Sequence, residues 1–152
     1  MAKTSPFRHE KADDSAGFLL WKITALWQRR LSGVLGESGI TQTQYAIMAS
    51  LRWFEHAGEP ITQTHLAEHT RIDKMTLSKA IRKLEEDGLV RREPSGLDSR
   101  AVDVRFTPRG HKVVEQAVVA IENADDEFFS GLLARQLADY KALTARLITH
   151  NS

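Results

Sequence analysis

The sequence predicts a mainly α-helical protein with one small β-hairpin, and three observations carry that expectation. Apolar residues recur at helical spacing through most of the chain, capping residues stand at the borders of those segments, and only past Gly88 does the period change to two. A chain of 152 residues suits one ordinary domain. Its composition, 27% charged and 41% hydrophobic, is that of a globular protein and excludes disordered and fibrous classes. No run approaches the roughly 18 apolar residues of a membrane span, and "MAKTSPFRHEKA" lacks the apolar middle of a signal peptide, so no membrane partner and a cytoplasmic location are expected. The absence of cysteine excludes disulfides, thiolate metal sites and sensing by thiol oxidation.

The elements follow in order. In "FLLWKITALWQRRLSGVL", residues 18–35, Phe18, Leu19, Ile23, Leu26, Trp27, Leu31 and Val34 fall on one side of a first long helix, and "ESG" stops it. Thr41 and Gln44 have capping-box spacing and open a second helix, which Gly58 and Pro60 end. Thr62 is placed to cap a short helix over about 62–69, and Asp73 another that runs to about Asp87, with Gly88 as its left-handed exit. Only "TRI" separates these two. Val102, Val104 and Phe106 then alternate with Asp103 and Arg105, facing "LVRRE" across the turn-rich "PSGLDSR". Thr107 followed by Pro108 starts a long helix with Val113, Val114, Ala117, Val118 and Ile121 on its stripe, and a last helix begins near Ala134. Phe128, Phe129, Leu132 and Leu133 add bulky apolar groups near the end of the chain. So much apolar surface requires cover, either from a second copy or from the chain's own core.

A helix pair with a three-residue turn, followed by a hairpin with a basic tip, is the element order of a winged helix-turn-helix. Charge is distributed to match: residues 71–112 hold eleven Lys/Arg against seven Asp/Glu, whereas residues 113–152 hold three against six. In "DKMTLSKAIRKLEEDGL", Leu77, Ile81 and Leu84 fix the inward face, so Lys74, Met75, Ser78, Lys79 and Arg82 point outward and Thr76 lies towards the exposed edge. Cations and hydroxyls on one helix face suit phosphates and base edges in a major groove. A solvated surface helix has the same composition. The hairpin tip adds a second feature: Asp98 is placed to orient the Arg100 guanidinium, and an oriented arginine suits the concentrated negative potential of a narrow minor groove.

From "ITQTHLAEHTRIDKMTLSKAIRKLEEDGLVRR" through "DSRAVDVRFTPRG" the chain resembles the MarR family of bacterial transcription regulators, by its D-x-R wing, its L-E-x-x-G-L-V-x-R helix exit and its T-x-x-G start of the next helix. The resemblance implies a homodimer built from the first and last two helices, presenting two winged domains to a palindromic operator in double-stranded DNA, as repressor or activator. It divides the chain into an N-terminal arm and first dimerisation helix over 1–40, a winged helix-turn-helix over 41–107, and C-terminal dimerisation helices over 108–152. It assigns Asp98 and Arg100 to the wing, and Lys74, Thr76, Ser78, Lys79 and Arg82 to the recognition helix. Ser99 stands where many members carry a second charge, which removes one phosphate contact. Many relatives respond to small aromatic or lipophilic anions held where the dimerisation helices meet the winged domain. Trp21, Tyr45 and Trp53 are candidates to line such a pocket, although aromatic residues at helical spacing also serve as plain core. No cofactor is expected beyond such an effector.

One motif points elsewhere. "HLAEH", residues 65–69, spells the H-x-x-E-H signature of a class of zinc peptidase, in which His65 and His69 would bind metal and Glu68 act as base. It falls on the first helix of the helix-turn-helix, where Leu66 must pack inward, and the six histidines are otherwise scattered, so neither a metal site nor catalysis is expected of it. A zinc-responsive regulator and a winged-helix interaction module without DNA remain as alternatives.

Overall fold

The computed structural model describes residues 4–59 and 61–152. Along the chain run α1 (Ala16–Leu35), α2 (Gln42–His56), α3 (Gln63–Thr70), α4 (Lys74–Glu86), β1 (Val90–Pro94), β2 (Val102–Phe106), α5 (Pro108–Phe128) and α6 (Ala134–His150). Pro60, expected to help end α2, lies outside the described residues, as do residues 1–3 of the N-terminal arm.

Local hydrogen bonding sets most borders. Thr41 Oγ1 accepts from the Gln44 amide at 3.1 Å while Gln44 Oε1 accepts from the Thr41 amide at 3.0 Å, the reciprocal capping box of α2. Thr62, Asp73 and Thr107 cap α3, α4 and α5 through their side-chain oxygens. α1 begins two residues before the apolar spacing suggests, because Ser15 Oγ accepts from the Phe18 amide at 3.3 Å. Between α3 and α4, Arg71 adopts a left-handed conformation with φ of 61°, a strained choice for a residue with a Cβ. Thr70 supports that turn: its hydroxyl donates to the Leu66 carbonyl at 2.6 Å and accepts from the Ile72 amide at 3.3 Å.

β1 and β2 pair antiparallel with Val90 opposite Phe106, Arg92 opposite Val104 and Pro94 opposite Val102. The Ile61 carbonyl accepts from the Val104 amide at 3.0 Å, which ties the segment before α3 to the far edge of β2. Val90 and Val104 of this small sheet are buried in one cluster with Leu66, Leu77, Ile81 and Leu84, and the same core continues through Ile47, Met48 and Leu51 to Leu35, Val114 and Ala117. At the start of α5 an added Cβ on Gly110 would lie 1.7 Å from the Leu89 carbonyl oxygen, so only glycine lets α5 approach the exit of α4.

The two ends of the chain are different. α6 has no buried residue and exposes Tyr140, Leu143, Leu147 and Ile148, with Leu133 exposed at its N-cap; α1 exposes Phe18, Leu19, Leu20, Trp21 and Leu26. The chain's own core therefore does not cover these stripes. Among the described residues no helix is long and apolar enough to cross a membrane.

Candidate nucleic-acid interface

α4 is held by one face. Leu77, Ile81 and Leu84 point into the core, which leaves Lys74, Met75, Thr76, Lys79 and Arg82 exposed and Ser78 half-buried. Hydrogen bonding then separates two kinds of cation. Lys83 pairs with Asp87 at 3.0 Å, a contact that raises its pKa. Arg92 binds Glu85 through Nε at 3.1 Å and Nη2 at 3.0 Å, and its amide donates to the same carboxylate at 2.8 Å; these bonds hold the Glu85 carboxyl below the usual carboxylate range. Arg105 lies 3.4 Å from Glu93, and Arg109 Nη1 donates to the Asp87 carbonyl at 3.0 Å. Among the described residues, no intramolecular hydrogen bond or ion pair engages the side chains of Lys74, Lys79, Arg82 or Arg100. These four keep their charge available.

At the hairpin tip the sequence expectation needs correction. Asp98 Oδ1 accepts from the backbone amide of Arg100 at 2.9 Å, and the two side chains form no ion pair. An aspartate reaches the amide two residues on with little loss of entropy, so it shapes the turn in preference to gripping a long, mobile guanidinium. The Ser95 amide donates to the Ala101 carbonyl and the Ala101 amide to the Asp98 carbonyl, both at 3.0 Å, which closes the loop. Arg100 is thereby presented from a fixed backbone with its own side chain free.

Two apolar side chains share this surface. Met75, expected on the outward face of α4, is 84% exposed, and Leu97, which the sequence reading did not single out, is 86% exposed at the hairpin tip. Met75 has a sequence signal: it is an apolar residue off the Leu77, Ile81, Leu84 stripe.

The three candidate aromatic residues do not come together. Tyr45 and Trp53 line one groove between α2 and α5, with Arg52, His56, Glu115 and Val118, whereas Trp21 stands 74% exposed on α1 and is not part of that lining. Trp21 belongs to the uncovered stripe of α1, which the sequence could not distinguish from a pocket wall. Burial, then the carboxylates of Asp125 and Glu122, push the Tyr45 hydroxyl up to about 12. The groove's rim is fixed by Arg52, which donates to Glu115 at 2.7 Å and lowers the Glu115 carboxyl.

His65 and His69 are exposed on α3, and His69 packs edge-on against Phe54 with ring centroids 4.9 Å apart. Among the described residues no group of three or more His, Asp or Glu side chains is placed to hold a metal ion.

Comparison with known proteins agrees with this geometry. Residues 38–101 match the family model described as the MarR family. The HTH-type transcriptional regulator YdcH of Bacillus subtilis (strain 168) is 32% identical over 122 residues, covering 80% of this chain and 83% of its own. The transcriptional regulator HosA of Escherichia coli O127:H6 is 32% identical over 131 residues, covering 86% and 89%. Among solved structures, a MarR mutant from E. coli complexed with operator DNA superposes with a TM-score of 0.77 at 25% identity, covering 86% of this chain and 91% of that one. The chain belongs to the MarR family of helix-turn-helix transcriptional regulators.

Proposed function

We propose that the chain binds a palindromic operator in double-stranded DNA as a homodimer and acts as a ligand-responsive repressor. The observation that carries this is the coincidence of an exposed α4 face bearing unpaired Lys74, Lys79 and Arg82 with a hairpin tip that presents an unpaired Arg100. Free cations on both surfaces suit phosphates and a narrow minor groove, and Thr76 and Ser78 lie where α4 would face base edges. Symmetry would place the two α4 helices one helical turn apart, about 34 Å, on one side of the duplex. The MarR structure with operator DNA supports the reading by likeness.

Responsiveness to a ligand is supported by the Tyr45 and Trp53 groove, where two aromatic rings lie beside His56 and an Arg52 guanidinium that is paired with Glu115. The rings suit a small aromatic or lipophilic ligand, and an anionic one would have to displace Glu115 from Arg52. Among the described residues no third His, Asp or Glu stands beside His65 and His69 to complete a metal site for Glu68 to serve, and His69 packs edge-on against Phe54.

The test is fluorescence anisotropy of the full chain against duplexes from the region flanking its own gene, at physiological salt, with an unrelated duplex as control. Specific binding with a stoichiometry of two chains per site is expected. Equal affinity for both duplexes would leave the chain as an interaction module without an operator.

A further inference from the structure

The first turn of α4 carries a hydrogen-bonding asymmetry that goes beyond the bare fact of DNA binding and rests on that reading. Asp73 Oδ1 accepts from the Thr76 amide at 2.8 Å, and Asp73 Oδ2 lies 2.6 Å from Thr76 Oγ1. Both bonds hold the Asp73 carboxyl below the usual carboxylate range, the hydroxyl contact most, so the carboxylate is ionised and has no proton to give. The Thr76 hydroxyl must therefore be the donor in that contact. Its single proton is committed to Asp73, and what remains for any other partner is a pair of acceptor lone pairs.

A threonine is ordinarily ambivalent towards bases because its hydroxyl rotates to donate or accept. Here the rotation is fixed. In the major groove guanine offers N7 and O6, both acceptors, which an acceptor-only oxygen repels; adenine N6 and cytosine N4 are donors and are attracted. Met75, the neighbouring residue, decides between those two. Its side chain is 84% exposed and belongs to no core contact, so it is free to cover the C5-methyl group that thymine has and cytosine lacks. An A·T pair alone presents both the amino donor and the methyl.

We infer that Thr76 meets the operator as a hydrogen-bond acceptor only and that, together with Met75, it sets the preference of this chain for A·T over G·C pairs at the base step facing the first turn of α4. Asp73 is the positioning residue, since it acts through Thr76.

Selection of duplexes from a randomised pool by the full chain yields the preferred operator, and the wild-type protein is then measured on operators altered one atom group at a time. Replacing thymines singly with deoxyuridine removes only the methyl. At one thymine in each half-site this should weaken binding about fourfold, the worth of one buried methyl-sized group, and Met75→Ala should erase the difference between thymine and uracil there. Changing that A·T pair to G·C should cost the wild type about tenfold or more. Asp73→Asn retains a capping oxygen for the Thr76 amide but offers its NH2 to the Thr76 oxygen, which releases the hydroxyl proton. That variant should lose only the roughly fourfold methyl share on G·C at the same step, while its Tm stays within a few degrees. The inference is overturned if no thymine is sensitive to demethylation in the wild type, if Met75→Ala leaves that sensitivity intact, or if Asp73→Asn pays the full wild-type penalty on G·C. A protein that enriches no duplex overturns the proposed function itself, a result distinct from enrichment of G·C at this step, which overturns only the inference.

Discussion

Arg92 and Arg100 carry the same charge on one hairpin, and only their partners distinguish them. Arg92 is spent on Glu85, whereas Arg100 has a fixed backbone and a free guanidinium. Lys79→Ala should therefore reduce the slope of log K against log salt by about 0.9 for each phosphate that it no longer neutralises, or about twice that in a dimer. Arg100→Ala should weaken binding of the operator, and Arg92→Ala should leave the salt slope unchanged while lowering Tm. Anisotropy titrations between about 50 and 200 mM salt, the range over which such slopes are large, separate the three. Counting charge along the chain located the basic region, but it could not tell Lys83 and Arg92 from Lys79 and Arg82, because that depends on which carboxylates the fold brings alongside. Tyr45 is raised from its ordinary value of 10.0 to about 12, so the folded chain holds the phenolic proton more tightly than the unfolded chain. Its contribution to stability is complete below about pH 10 and disappears as pH rises towards about 12. Tyr45→Phe, followed by urea unfolding across that window, should flatten the alkaline decline of stability.

At the scale of elements, the junction of α4, the hairpin and α5 depends on one hydroxyl. Thr107 Oγ1 accepts from the Gly110 amide at 3.0 Å, capping α5, and donates to the Gly88 carbonyl at 2.6 Å, closing the exit of α4. Thr107→Val preserves shape but removes both bonds, and a destabilisation of about 1–2 kcal/mol is expected by chemical denaturation. Gly110→Ala should cost more, about 3 kcal/mol, because its Cβ would collide with the Leu89 carbonyl and separate α5 from the hairpin. The caps at Thr41, Asp73 and Thr107 were legible in the sequence because each is a contact across three residues. The left-handed Arg71 was not, since no local preference selects it; the turn between α3 and α4 is imposed by Leu66 and Leu77 seeking one core. The Asp98 turn was only half legible: the pair of residues announced itself, but a two-residue spacing favours the backbone amide over the side chain.

Over the whole molecule, the apolar stripes of α1 and α6 pose the question of what covers them. The sequence left two answers open, and the fold removes one, since Leu133, Leu143, Leu147 and Ile148 remain exposed after the core is complete. α6 is also a poor candidate for independent stability, because a 17-residue helix without a buried face draws little support from propensity alone. In the proposed homodimer a second copy would supply the missing surface, and the two helices it would join, first and last in the chain, flank the segment that holds α4 and the hairpin. Dimerisation and contact with DNA are therefore separable by substitution. Leu143→Glu combined with Leu147→Glu places two charges in the stripe without touching the core around Leu66, Leu77 and Val104. Sedimentation should show such a chain as a monomer, with the helical signal of the winged region preserved. Its operator affinity should fall steeply, because one half-site holds only half the contacts and the second winged domain is no longer delivered at high effective concentration. A double variant that still sediments as a dimer would show that α6 is covered by something other than its symmetry mate.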